Sequence, residues 1–459
     1  MALRRAMGQF LAVPLAVVIG FASMTVLTYW ADTAWSQDRV PDGFAWLGRL
    51  LGDSGSLATL LSTIASSIIT VTSITFSLLL IALQQGSSAL TTQVTDQFLM
   101  RRTNQVYFGY FVGLSVFVLL SLATASNVHR PVFGTALALV LTTVALCMVV
   151  VMIYNTIEQM RPTQIVWAIH GHVLRARDVQ SKLLRQTRRA PRPDRAVAAT
   201  LRSTRTGYIV GLDVGKMRAA ATSLGGTDVE VELGVPLGRH LAFGDPVMVV
   251  RVPKSVVLRA DAVERVSAAL LDALFIDDDR DLRRDAAYGI HQLATIGWTA
   301  VSTAKSNPNP GQAVIQSLRD ILSRWAAVGE IAGDSTSTVV IADAAPAEAL
   351  DALESLILVT SESLQAQTLA DALRTVATLL PGVPDPWAER LADVARRSLA
   401  SLGEHVLTRD LEEALDGMAA ALAARGFDAT ARAVRRAESI SASALGSLKS
   451  RSTRVPDEA

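Results

Sequence analysis

The chain has 459 residues, room for roughly two or three domains, and balances 43 basic against 42 acidic side chains. That balance removes any polycation argument for nucleic acid, and nucleic acid is not an expected partner. A single cysteine, Cys147, excludes an intramolecular disulfide and a cysteine-rich metal cluster; inside its apolar run it reads as a small core residue.

Half of the residues are apolar but unevenly arranged: long uncharged runs fill the first third of the chain, and charges crowd the rest. A membrane helix needs about 20 mostly apolar residues to cross about 30 Å of hydrocarbon. Four uncharged stretches qualify: Phe10 to Trp30, Leu57 to about Leu83, Val106 to Ala125, and Val132 to Tyr154. The first is preceded by Arg4 and Arg5 but is too long for a signal peptide, so it reads as an uncleaved anchor.

Flanking charge orients these spans. Arg4, Arg5, Arg101 and Arg102 lie on one side, followed after the fourth span by a basic run from Arg161 to Arg195. The first loop carries Asp32, Asp38, Asp42 and Asp53 against Arg39 and Arg49, while Arg130 dissents in the last loop. The positive-inside rule then places both termini in the cytoplasm, with a bacterial inner membrane as the expected location. Trp30, Tyr107, Tyr110, Tyr154 and Trp167 stand near span ends, where an aromatic belt would sit.

The second span is unusually polar. On a helical wheel Thr59, Ser62, Thr63, Ser66, Ser67, Thr70, Ser73 and Ser77 share one face, while Thr72 and Thr75 point away. Leu60, Leu61, Ile64, Ile68, Val71, Leu78 and Leu79 take the other side, which reads as the lipid-compatible face. Two readings stand side by side. Small hydroxyl residues let helices pack closely, or they line a water-filled path in which hydroxyl oxygens replace part of an ion's hydration shell. The path needs several copies of the helix, hence a homo-oligomeric ring, with Ile74 and Ile81 as apolar constrictions. The span is longer than the hydrocarbon requires, so it tilts or projects, and Gln84 to Gln97 would form its mouth or elbow. In the third span, Gly109 and Gly113 have the small-xxx-small spacing of a helix-packing face.

From Glu158 to Ala190 the sequence reads as a basic amphipathic helix leaving the membrane, with a Pro-rich linker behind it. Arg175, Arg177, Arg185, Arg188 and Arg189 are candidates for contact with lipid headgroups. Residues 196–260 read as a small β module, with strands at Tyr208–Leu212, Val229–Leu233 and Val247–Arg251. Gly211 to Lys216 falls one residue short of a phosphate-binding loop, and Met217 replaces the required hydroxyl. Residues 261–448 read as a mostly helical domain, with apolar periodicity over Ala268–Ile276, Leu282–Ala304, Ala313–Ala327, Ala347–Leu380, Ala388–Leu422 and Ala431–Leu448. Residues 449–459 read as a disordered tail.

Catalytic signatures are missing. There is no serine elbow, kinase set or zincin motif, and His170 and His172 fall on different helix faces as a metal pair. The run from Asp277 to Asp285 has no glycine-centred calcium loop and reads as a solvated helix start. Neither an enzyme, a cofactor nor a metal is expected.

Three segments together resemble a bacterial family of predicted membrane proteins, domain of unknown function 2254. They are Thr70–Leu78 with Ala82-Leu83; Gly207–Asp213 ahead of Gly244-Asp245-Pro246; and Asp285–Leu293 leading into an Asn-Pro loop. That family's loop tends to read Asn-Asp-Pro-Thr-Thr-Ala. Here Pro308-Asn309-Pro310-Gly311-Gln312-Ala313 lacks the acidic residue, so no role tied to that carboxylate carries over. The resemblance implies architecture and no activity.

The expected fold is therefore an α-helical membrane protein: a four-helix transmembrane bundle over residues 1–160, a juxtamembrane helix and linker over 161–195, then a cytoplasmic α+β region. The functional expectation is a homo-oligomeric channel or solute-conducting protein whose cytoplasmic region gates or assembles it. A membrane-anchored scaffold or regulator that binds a cytosolic partner protein is the alternative. Either would be embedded in the lipid bilayer.

Overall fold

A computed structural model describes residues 2–36, 51, 53–89, 102–126, 130–159, 161–225, 229–256, 260–302, 307–399, 402 and 405–444. The chain forms two compact units, Met1–Ile165 and Val166–Ala459.

Helices α1 (Ala2–Ser36), α2 (Ser54–Ala89), α3 (Arg102–Thr124) and α4 (Val132–Gln159) form the first unit. Each holds a stretch long and apolar enough to cross a membrane: Leu11–Thr33, Ser54–Leu78, Arg102–Thr124 and Val132–Asn155. At 1.5 Å per residue, the 36 residues of α2 extend about 54 Å, well beyond the hydrocarbon thickness. Of the mouth expected at Gln84 to Gln97, the backbone is helical to Ala89 and the rest lies outside the described residues, as do Asp38, Asp42 and the tail 449–459.

Helix α3 is the hub, packing on α1, α2 and α4 and burying Phe111, Leu114, Phe117 and Val118. Lipid tails are as apolar as leucine, so close van der Waals fit must do what hydrophobic burial does in water. Gly109 and Gly113 supply that fit within the protomer. A Cβ at Gly109 would lie 2.9 Å from Pro14 Cα, and one at Gly113 would lie 2.5 Å from Phe21 Cδ2. Phe21 in turn meets the Tyr110 ring edge-on at 5.3 Å.

Polar ties close the bundle at both ends. Asp32, on α1, is 2 % exposed and accepts from the Phe133 and Gly134 backbone N–H groups at 2.6 and 3.2 Å. Its carboxylate thereby occupies donors that the start of α4 leaves without helical partners. Gly134 keeps the approach open, since even a Cβ there would lie only 3.3 Å from Asp32 Oδ2. Elsewhere the Tyr110 hydroxyl donates to the Leu141 carbonyl at 2.8 Å, and Asn155 Nδ2 donates to the Tyr107 hydroxyl at 3.0 Å. These two tyrosines therefore belong to the bundle interior and not to an aromatic belt; Trp30 and Tyr154 remain exposed. Cys147 also departs from expectation, being exposed on α4 and not part of a core.

The second unit begins with the bulk of α5 (Pro162–Arg185) and continues through β1 (Arg195–Arg202), β2 (Gly207–Leu212), α6 (Val214–Gly225), β3 (Glu230–Leu233), β4 (His240–Leu241), β5 (Pro246–Pro253), α7 (Ala260–Asp272) and β6 (Leu274–Asp277). The chain then runs through α8 (Ala286–Val301), α9 (Asn309–Val328), β7 (Val339–Val340), α10 (Ala345–Glu362), α11 (Ala366–Leu379), α12 (Asp385–Ser398), α13 (Arg409–Ala424) and α14 (Asp428–Ala444). One sheet has the order β1-β5-β3-β7 and the other β4-β2-β6.

The β module is thus not contiguous. β7 adds in parallel to β3, pairing Val231 with Val339, and β6 pairs with β2 where helix was expected to run to Ile276. Their shared core includes Ile209, Met217, Val231, Val250 and Leu274. The long periodic stretch Ala347–Leu380 is two helices, broken at Leu364, which adopts a φ of 57°. Ala388–Leu422 is likewise split between α12 and α13, with the Thr408 hydroxyl capping α13 by accepting from the Leu411 N–H.

Gly109→Ala should lower the stability of the detergent-solubilised protein by about 1–3 kcal/mol, because backbone has to move to admit the methyl. Gly20→Ala, where nothing lies within 4 Å of the added Cβ, should be neutral or slightly stabilising. Thermal unfolding of the two variants side by side checks the packing directly.

Candidate functional site

The orientation of α2 follows from its seam. Leu57, Leu61, Ile64, Ala65 and Ile68 are buried, and Thr75 with them, where α2 meets α3 and α4. These positions recur at helical spacing, so they set the helix's rotation. The apolar side read as lipid-facing is therefore the inner side: Leu61, Ile64 and Ile68 are buried and Val71 is half-buried, although Leu60 and Leu78 stay exposed.

The hydroxyl face is the outer one. Thr59, Ser62, Thr63, Ser66, Ser67, Thr70, Ser73 and Ser77 are all exposed on the protomer. Ile74 and Ile81 are exposed on it as well, at 55 % and 50 %. Among the described residues, packing inside the four-helix bundle thus does not account for these hydroxyls.

Seven of the eight hydroxyls have a fixed hydrogen. Thr59, Thr63, Ser66, Ser67, Thr70, Ser73 and Ser77 each donate to the carbonyl four residues earlier, at 2.8 to 3.0 Å. A hydroxyl has one hydrogen and two acceptor lone pairs, so these oxygens offer acceptors to whatever lies beyond the helix. Such a surface suits water and cations better than anions.

The arginines expected at headgroups divide into two sets. Arg175 and Arg185 are exposed on α5. Arg177 is instead buried: its Nη1 and Nη2 each donate to an Asp343 carboxylate oxygen at 2.6 Å, and its guanidinium lies 4.9 Å from the Trp325 ring centre. Arg188 lies 3.8 Å from the fully buried Glu230, and Arg189 donates to the Ile341 carbonyl at 3.1 Å. Those three are built into the second unit, and the helix ends at Arg185 rather than continuing to Ala190.

The same reversal applies to the apolar stripe of α5. Val166, Ile169, Val173, Ala176 and Leu184 are buried in the second unit, and Gly289 of α8 leaves room for Val173. His170 sits on this stripe, with Nδ1 2.9 Å from Ser317 Oγ and Nε2 3.1 Å from Asp320 Oδ2. A neutral ring satisfies both partners: Nε2–H donates to Asp320, and Nδ1 accepts from the Ser317 hydroxyl. The order Ser-His-Asp invites comparison with a hydrolytic triad, but Ser317 is fully buried within α9 and offers no reachable nucleophile. The arrangement is a latch between α5 and α9. Position could have signalled it, because His170 and Arg177 are seven residues apart on one apolar stripe. Among the described residues, no group of three His, Cys, Asp or Glu side chains is placed to hold a metal ion.

A family model described as a predicted membrane protein (DUF2254) matches residues 7–361. No curated protein and no solved structure shows significant similarity to the chain.

Burial holds the His170 imidazole below its ordinary value, with the Asp320 carboxylate opposing that shift and Arg324 adding to it. The unfolded chain binds a proton near pH 6.5 that the folded chain refuses, so this contribution to stability is complete above that pH. It is lost as pH falls from there toward the depressed value. The gap in thermal midpoint between the native chain and His170→Asn should therefore narrow on acidification through this window, since shifts in carboxyl groups are common to both proteins. For the ion pair, Arg177→Met alone should cost about 3–5 kcal/mol by stranding Asp343, and adding Asp343→Leu should restore much of it. Denaturant unfolding in a double-mutant cycle measures both.

Proposed function

We propose, for a chain that belongs to the DUF2254 family of predicted membrane proteins, a homo-oligomeric channel or solute-conducting role in which copies of α2 surround a shared path. The observation that carries this reading is the outward position of the hydroxyl face. In a membrane protein, small and hydroxyl-bearing residues gather where helices meet each other or water, and apolar residues face lipid. Helix α2 reverses that order within the protomer, which leaves the hydroxyl face in want of a partner other than lipid. A cyclic ring supplies one by symmetry.

In such a ring the oxygens of Ser66, Thr70 and Ser73 face the path as acceptors, and the permeant species are water and cations. Ile74 and Ile81 narrow the path as apolar collars. In this reading the membrane is a bacterial inner membrane and the termini are cytoplasmic, an orientation supported by the basic flank that includes Arg161, Arg175 and Arg185. The region after α4 gates the path or holds the subunits together.

Purified protein in planar bilayers should give discrete conductance, with a reversal potential in a KCl gradient on the cation side. Ser66→Leu, Thr70→Leu and Ser73→Leu should each reduce unitary conductance by roughly tenfold. In a Cys147→Ser background, Ser66→Cys should react with a charged thiol reagent and Ile68→Cys should not. Silence under ionic gradients, voltage and tension, with Ser66→Cys unreactive, would remove the conduction reading and favour the tethered regulator.

A further inference from the structure

Helices α8 and α10 leave between them a groove of about 390 Å³. It lies in the second unit and shares no lining residue with the latch on α5. One wall carries His291, Thr295 and Trp298 from α8, and the other Glu348, Asp351 and Ser355 from α10. The volume falls within the range of small-molecule sites.

The groove's chemistry is one-sided. Glu348 and Asp351 are three residues apart and share a helix face, so one ligand group can meet both carboxylates. Two nearby arginines are already engaged. Arg280 donates to Asp285 at 2.8 Å and lies over the Tyr288 ring at 4.7 Å, while Arg390 pairs with Asp351. The Glu348 carboxylate has no hydrogen bond or ion pair among the described residues. Burial pushes it above the usual range for a glutamate, with Asp285 and Asp351 adding to that and Arg280 and Arg239 opposing it. Withdrawing a carboxylate from water without a partner is costly, and a cation in the groove would remove that cost.

An aromatic surface accompanies the charge. Trp298 is 51 % exposed, whereas a tryptophan without a partner surface is ordinarily well covered. An indole face beside free carboxylate attracts a cation that carries an apolar stem, through cation–π attraction and contact area together.

The geometry points to a binding site for a small organic ammonium ion in the α8–α10 groove, its charged end between Glu348 and Asp351 and its stem along Trp298. This assignment does not rest on the conduction reading.

Calorimetric titration of the full chain in nanodiscs, with cadaverine as probe and glutarate as its anionic counterpart, tests it. Cadaverine should bind saturably at one site per chain and glutarate should not. Glu348→Gln and Trp298→Leu should each weaken cadaverine binding, the former by roughly tenfold or more. Arg390→Met frees Asp351 from its pair and should tighten binding, an outcome that general loss of folding would not produce. Binding that survives Glu348→Gln unchanged, equal heats from cadaverine and glutarate, or no saturable heat at all would overturn the assignment.

Discussion

The rotation of α2 about its own axis is the constraint on which the rest depends. It is set by Leu57, Leu61, Ile64, Ala65 and Ile68 against α3 and α4, a seam that is apolar apart from Thr75. In hydrocarbon such a seam gains nothing from excluding water, so its strength is shape alone. The glycines of α3 supply that shape for the neighbouring contact with α1, letting the backbones at Gly109 and Pro14 approach closely. With the seam in place, every hydroxyl at the spacing of Thr59, Thr63, Ser66, Thr70 and Ser73 is turned outward. Hydrogen bonds back to the helix's own carbonyls make that exposure tolerable, since no hydroxyl hydrogen among these is stranded.

Much of the first unit was legible because length and composition decide it. Each span is uncharged over about 20 residues, and only helix satisfies the backbone there. The division of α2 into two faces was legible for the same reason, being a matter of angle. Which face turns inward was not. In water the apolar side would have to be buried, but in a membrane it can face either lipid or a neighbouring helix, and the lipid-facing reading of Leu61, Ile64 and Ile68 chose wrongly. Asp32 shows the same limit: its charge fits the orientation rule, yet its buried place at the start of α4 depends on a residue about a hundred positions away.

In the second unit the misses share a cause in non-local structure. Val339 and Val340 make a two-residue strand that no local pattern marks, and it exists because β3 offers an open edge. Leu364 interrupts a periodic stretch with no glycine or proline to announce it; a left-handed leucine costs about 1–2 kcal/mol and persists only where packing on both sides outweighs that. The groove went unread for a related reason. His291, Thr295 and Trp298 form a visible stripe on α8, but its meaning comes from Glu348 and Asp351, which the fold brings alongside from α10.

Helix α5 is built into the second unit along most of its length. Arg177 and His170 are held by Asp343, Ser317 and Asp320, and the apolar stripe is buried. An interfacial helix would need exposed arginines along its length, whereas here the best-placed one is spent on a bidentate pair inside the protein.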